Sequence, residues 1–237
     1  MKITRIETLL IRAPDSSQVS GQGEFLVTPM HVFPDYRSVL GDGFVGLRGG
    51  PVGAVLVQVE TDEGLTGLAS TGVGNGAAAY IIEHCLQPIV LGASPFDVEL
   101  LWEKMFRSSI NYGRKGVAIE AISAVDIALW DLMGKALGQP VYNLLGGRTR
   151  DRIRVYASRL YARDDLDRLA QEAAAFRARG FTAMKQRFGY GPADGLEGMR
   201  KNLGLIRTVR EAVGPDVDLM ADAYMGWDVS YAIRMIR

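Results

Sequence analysis

Phe181-Thr-Ala-Met-Lys185-Gln-Arg187, a Gly/Pro loop, a helical run from Leu196 to Val213, and Asp218-Leu-Met-Ala-Asp222-Ala-Tyr224 form the stretch that decides the fold. It reads strand, loop, helix, strand. The strands are near-continuous apolar runs, the pattern of strands covered on both faces in a parallel sheet. Lys185 and Arg187 stand two residues apart, and strand side chains alternate with a period of two, so both point to one side. Asp222 holds the matching end of the second strand. With the strands as parallel neighbours, two cations and a carboxylate converge on one rim, a setting for an anionic substrate and a metal ion. Asp216 and Asp218 are rival carboxylates. They fall at the N-terminal end of the strand, opposite the rim where such sheets place their sites.

The same alternation extends on both sides of this stretch. Ile153 to Ser158 reads as a strand and Asp164 to Arg179 as a helix closed by Gly180. Asp194 and Glu197 have the spacing of a capping box, and Asp228 is placed to cap a last helix. Three β/α units in about 85 residues imply a parallel sheet, either doubly wound or a (β/α)-barrel. Three units cannot close a barrel of eight. Asp228 to Arg237 is an amphipathic helix with no Gly or Pro to end it, so the sequence reads as interrupted.

The first half has a different order. Lys2 to Arg12 alternates as a strand. Residues 15–51 are the least periodic part, rich in Gly, Ser and Pro, with Thr28-Pro29-Met30-His31 and Phe33-Pro34-Asp35-Tyr36-Arg37 inside. A loop this long is a lid, a binding loop or a segment without chemical role. His31 and Arg37 are its candidates for touching an anionic substrate, although each taken alone is more often a surface residue. Ala54–Glu60 and Leu65–Ser70 form a hairpin around Thr61-Asp-Glu-Gly64. Gly72-Val-Gly74-Asn-Gly76-Ala77 imitates a dinucleotide loop, but the strand before it belongs to that hairpin and not to a βαβ unit. A glycine-rich connection into a helix over Ala77–Val90 is the better reading, with His84 structural. Ser94-Pro95 starts a helix to about Ser108, with Ser94 as its N-cap. Val117–Leu137 is a long apolar helix holding Asp126 and Asp131, stopped by Gly138-Gln-Pro140. Residues 1–147 are therefore an α+β module, and 148–237 are the alternating one.

Composition narrows the function classes. The 237 residues carry 27 Lys+Arg and 27 Asp+Glu, so no net charge steers the chain to nucleic acid or to a membrane surface. No apolar run reaches the ~18 residues of a span, and the polar/apolar start is not a secretory signal. Cys85 is the single cysteine, which leaves no internal disulfide and no multi-cysteine zinc site. A cytoplasmic location is the default.

Ala121-Ile-Ser-Ala-Val-Asp126-Ile-Ala-Leu-Trp130-Asp131-Leu-Met-Gly134-Lys135-Ala-Leu-Gly138-Gln-Pro140-Val-Tyr-Asn-Leu-Leu-Gly-Gly147 resembles the helix-and-linker hallmark of the mandelate racemase and muconate lactonizing branch of the enolase superfamily. The resemblance covers the whole chain. It implies an α+β capping domain (1–147, lid loop 15–51) followed by the start of an α/β (β/α)7β TIM-like barrel (148–237), truncated after three units. Lys185-Gln-Arg187 lies where the family has its Lys-x-Lys motif, and Asp222 where it has its first metal carboxylate. Thr28-Pro29-Met30, Arg187-Phe-Gly-Tyr-Gly-Pro192 and Asp222-Ala-Tyr224-Met resemble the acid-sugar dehydratases of the L-rhamnonate dehydratase type. The two other metal carboxylates and a His-Asp dyad are implied beyond Arg237.

The implied chemistry is removal of the proton α to a carboxylate, giving an enediolate, then loss of the 3-hydroxyl to a 2-keto-3-deoxy acid. Mg²⁺ is the implied cofactor, a sugar acid the implied substrate, and a homo-oligomer the implied assembly. Arginine at 187 departs from the motif. It stays charged and makes a poor base, so Lys185 is expected to support the enediolate and Arg187 to orient or stabilise. A racemase or epimerase, which needs a base on each face, is the alternative. An inactive fragment is the reading if the chain ends at 237.

Overall fold

A computed structural model of the chain describes residues 1–12, 23–33, 52–71 and 76–237. Two compact units result: the described residues of Met1–Asp15 and Gly46–Asp151 form the first, and those of Ser16–Val45 and Arg152–Arg237 the second.

In the first unit β1 (Ile3–Arg12), β2 (Val52–Thr61) and β3 (Thr66–Ser70) form an antiparallel sheet in that order. Val55, Val57 and Val59 alternate along β2 and are fully buried. The β2–β3 turn closes through Gly64 at φ 78°, a left-handed conformation that glycine adopts without steric cost. A helical stretch follows as α1 (Gly76–Ile81), a π-helical turn over Ile82–Leu86, and α2 (Gln87–Val90). Next come α3 (Val98–Ser109), α4 (Val117–Leu137) and the short α5 (Val141–Leu144). Ile122, Val125, Leu129 and Leu132 of α4 pack with Ile6, Val57, Ile82 and Met105 in one core. At an average ~25 cal/mol per Å² of apolar surface, this burial dominates the stability of the unit.

The polar side chains of α4 serve the edge of the sheet. Asp131 Oδ2 accepts the Leu68 N–H at 2.8 Å and pairs with Lys135 Nζ at 2.7 Å. Lys135 in turn donates to the Thr66 carbonyl at 2.7 Å. An edge strand otherwise exposes such groups unpaired. Gly138 ends α4 in the left-handed conformation, its N–H returned to Gly134 and Lys135. The expected start of α3 is corrected. Ser94 does not cap it; the Ser94 oxygens close a turn at Phe96 and Asp97, and the helix begins at Val98.

The second unit runs α6 (Leu166–Ala178), β4 (Ala183–Arg187), α7 (Gly195–Val213), β5 (Asp218–Asp222) and α8 (Val229–Ile236). β4 and β5 pair in parallel with Lys185 opposite Met220 and Arg187 opposite Asp222. Met184, Leu169, Ala173, Leu205 and Val209 form the core beneath them. Asp165 caps α6 and Asp228 caps α8, each accepting the N–H three residues on. The Asp194 carboxylate does not form the expected capping box with α7. It accepts the Gly191 N–H at 2.8 Å and closes the turn Pro192–Asp194 instead. The strand expected over Ile153–Ser158 is also corrected. It is reduced to an isolated parallel bridge at Ala157, with Ala157 N–H on the Ala183 carbonyl and Lys185 N–H on the Ala157 carbonyl. Leu160, two residues after Ser158, has φ 38° and its carbonyl accepts the Arg187 N–H.

The described part of the long loop, residues 23–33, clusters with this second unit. Phe25 N–H meets the Ala162 carbonyl and Val27 N–H the Phe188 carbonyl, both at 2.8 Å. Gly226 makes room for it: a Cβ there would lie 2.6 Å from a Val27 methyl. Among the described residues no helix is long and apolar enough to cross a membrane.

Candidate active site

The strand register explains why three charges meet. Lys185 and Arg187 face one side of β4, while Met184 and Gln186, on the other side, are fully buried. Asp222 is the register partner of Arg187. Lys185 Nζ lies 3.1 Å and Arg187 Nη1 3.5 Å from Asp222 Oδ2. The other carboxylate oxygen accepts the Tyr224 N–H at 2.9 Å. This turn holds Tyr224 and Met225 at φ 43° and 60°, a region that non-glycine residues enter only when their surroundings hold them there.

Burial pushes the Asp222 carboxyl up, but the Tyr224 amide, Lys185 and Arg187 outweigh it and hold it below its ordinary value. The contact therefore stabilises the fold fully above the ordinary value of 3.8, and that contribution is lost as pH falls through the lower folded value. Acid titration of the fold by circular dichroism is expected to lose this part of its slope in Asp222→Asn. An unchanged acid limb would contradict the assignment.

Aromatic rings surround the cations. Tyr156 lies under Lys185 at 5.6 Å, and Tyr161 and Tyr224 lie 4.8 and 6.0 Å from the Arg187 guanidinium carbon. The loop after β4 is pinned by buried Asn202, whose side chain accepts from Gly189 and Tyr190 and donates to the Tyr190 carbonyl. Trp227 Nε1 donates to that same carbonyl at 2.8 Å and stacks on Phe188.

Of the sequence candidates, Lys185, Arg187 and Asp222 are brought together. Asp218 lies at the other end of β5, exposed and paired with Arg154 at 2.7 Å. His31 is not a surface residue. It is buried, on the turn Pro29–Val32, which packs against Pro192–Asp194. Arg37 and the glycine run 72–75 lie outside the described residues. Tyr224 follows the Asp222 motif and is readable as a pocket-lining or helix-packing residue, whereas Tyr156, Tyr161, Asn202 and the Glu24–Arg163–Glu172 cluster carry no sequence signal. Glu24 Oε1 and Glu172 Oε2 lie 2.6 and 2.9 Å from Arg163 Nη2.

Comparison with known proteins agrees with this architecture. Residues 51–146 match the mandelate racemase/muconate lactonizing enzyme N-terminal domain, and residues 168–237 match the enolase C-terminal domain-like family. The chain belongs to the mandelate racemase and muconate lactonizing branch of the enolase superfamily. It is 38% identical over 240 residues to L-rhamnonate dehydratase of Saccharopolyspora erythraea, covering 99% of this chain and 57% of that protein. The crystal structure of L-rhamnonate dehydratase from Gibberella zeae superposes with a TM-score of 0.83 at 34% identity, over 99% of this chain and 54% of that one. The same enzyme complexed with Mg gives 0.82 at 34% identity, with 99% and 56% coverage. The chain thus spans about half the length of the relatives it matches.

Proposed function

We propose that the natural protein carrying this sequence is a Mg²⁺-dependent hydro-lyase that dehydrates a sugar acid of the L-rhamnonate type. The observation that carries this reading is the Lys185–Asp222–Arg187 cluster at the C-terminal ends of two adjacent parallel strands. Two cations against one carboxylate leave one positive charge in surplus, which suits a monoanionic acid. The names of the relatives support the substrate class.

Asp222 offers the hard, ionised oxygen that Mg²⁺ takes. Among the described residues no three His, Cys, Asp or Glu side chains could hold a metal together, so Asp222 is proposed as one ligand of several. Bound Mg²⁺ would supply Lewis-acid stabilisation of the carboxylate oxygens. Lys185 is assigned to bind the substrate carboxylate and to stabilise the enediolate charge as the α proton leaves. Arg187 remains protonated and orients the same group. Loss of the 3-hydroxyl and tautomerisation then give the 2-keto-3-deoxy acid. His31 and Arg37 are proposed to read distal hydroxyls. Residues 1–147 are proposed as the capping domain and 148–237 as opening units of a (β/α)7β barrel, in a cytoplasmic homo-oligomer.

The test is a panel of sugar acids incubated with the natural protein and Mg²⁺, scored for 2-keto-3-deoxy product. L-rhamnonate or a close analogue is expected to react, and chelation to stop it. No product from any member would overturn the proposal. Exchange of the α hydrogen with solvent without water loss would point to a racemase, for which Arg187 is an unsuitable second base.

A further inference from the structure

Arg187 has more polar hydrogens than acceptors. Nη1 stands 3.5 Å from Asp222, at the long end of ion pairing, and Nε is buried with no hydrogen-bond partner among the described residues. Native folds seldom leave such a donor unanswered. What lies beside it is aromatic: the Tyr161 ring centroid is 4.8 Å from the guanidinium carbon, and the Tyr224 ring 6.0 Å. Aromatic faces attract a cation and accept N–H donors. One ring follows a strained residue and the other belongs to one. Leu160, at φ 38°, precedes Tyr161 and accepts the Arg187 N–H through its carbonyl at 2.9 Å. Tyr224 itself is left-handed, and its amide holds Asp222.

We infer that Tyr161, together with Tyr224, is a positioning residue whose ring face fixes the Arg187 guanidinium beside Asp222 without neutralising it. The distinction is chemical. A second carboxylate would hold Arg187 as firmly and would cancel the surplus positive charge of the cluster. A neutral ring holds the group and leaves that charge for an incoming anion. Lys185 is treated alike, with the Tyr156 ring 5.6 Å from its ammonium. The inference rests on the proposed reaction only for the identity of that anion.

The test is nitrogen-15 NMR of the Arg187 Nε–H in the labelled chain, which needs no turnover. Arg200, whose side chain is 75% exposed, supplies the internal reference. The Arg187 Nε–H is expected to exchange with water more slowly than that of Arg200 and to carry a ring-current shift. Tyr161→Leu is expected to speed the Arg187 exchange by about 5- to 30-fold, whereas Tyr161→Phe keeps it within about twofold. Exchange in the unaltered chain as fast as at Arg200 would overturn the inference. So would a Tyr161→Phe variant that loses protection, because the hydroxyl and not the ring would then be the holding group. Should Tyr161→Leu not fold, these two measurements still decide. Failure here leaves the dehydratase reading standing, since that reading is judged by product formation, and failure of the sugar-acid panel leaves the ring contact standing.

Discussion

On the proposed reading, Lys185→Met is expected to lower kcat/KM for sugar-acid dehydration by about 10²–10³-fold in the natural protein, the loss seen when one preorganised donor to a developing oxyanion is removed. The reason lies in the charge count of the cluster. Lys185 and Arg187 share Asp222, at 3.1 and 3.5 Å, so the site carries one net positive charge. Without Lys185 the remaining pair is neutral, and a carboxylate gaining charge as its α proton leaves would lose the donor that the proposal assigns to it. Lys185→Arg is expected to rescue little, because a planar fork does not replace a point charge in a site shaped for one. Product assays on both variants check this. A Lys185→Met enzyme within about threefold of the parent would exclude Lys185 from the chemistry, that being far below the loss of a single donor.

Arg163→Met is expected to destabilise the fold by about 3–5 kcal/mol, the usual consequence of removing one partner from a buried ion pair. Arg163 is 4% exposed and its Nη2 serves both Glu24 and Glu172. Truncation would leave two carboxylates in a desolvated place without their shared cation; Arg159 stands farther off, 3.7 Å from Glu24, and Arg159 and Arg168 also act on Glu172. Burial already pushes the Glu172 carboxyl up, and Arg163 only partly offsets it. The loss should therefore shrink in acid, where Glu172 protonates and no longer repels Glu24. Urea unfolding at neutral and acid pH measures both effects. The double change with Glu24→Gln should recover part of the loss, and a cost under about 1 kcal/mol would place the cluster among exposed pairs that contribute little.

The legible part of this chain was what period and punctuation encode. The hairpin at Thr61–Gly64, the long helix to Leu137 and the β4–α7–β5 unit could be read because their apolar spacing and terminal glycines are local signals. The meeting of Lys185, Arg187 and Asp222 was legible for the same reason: a period of two and a parallel register fix which side chains share a rim. The expected strand at Ile153–Ser158 is not formed, because its residues have strand composition but only Ala157 is bridged to the neighbouring strand. The late start of α3 and the missing capping box at the correctly placed start of α7 share a cause. Ser94 and Asp194 have capping chemistry, but their oxygens are taken by nearer turn amides. His31 looked like a loop residue facing solvent and is buried, because residues 23–33 pack on partners more than a hundred positions away. No window of sequence carries that information.

The course of residues 23–33 also bears on how such a protein can be rearranged by recombination. The chain visits the second unit between β1 and β2 and returns to the first before committing to the second at Arg152. A crossover near residue 151 would thus split the second unit: Phe25, Val27 and Glu24 would have to match carbonyls and an arginine brought in by the other parent. Inheritance of the two units is thereby coupled, because residues 23–33 lie within the first half of the sequence and pack in the second unit.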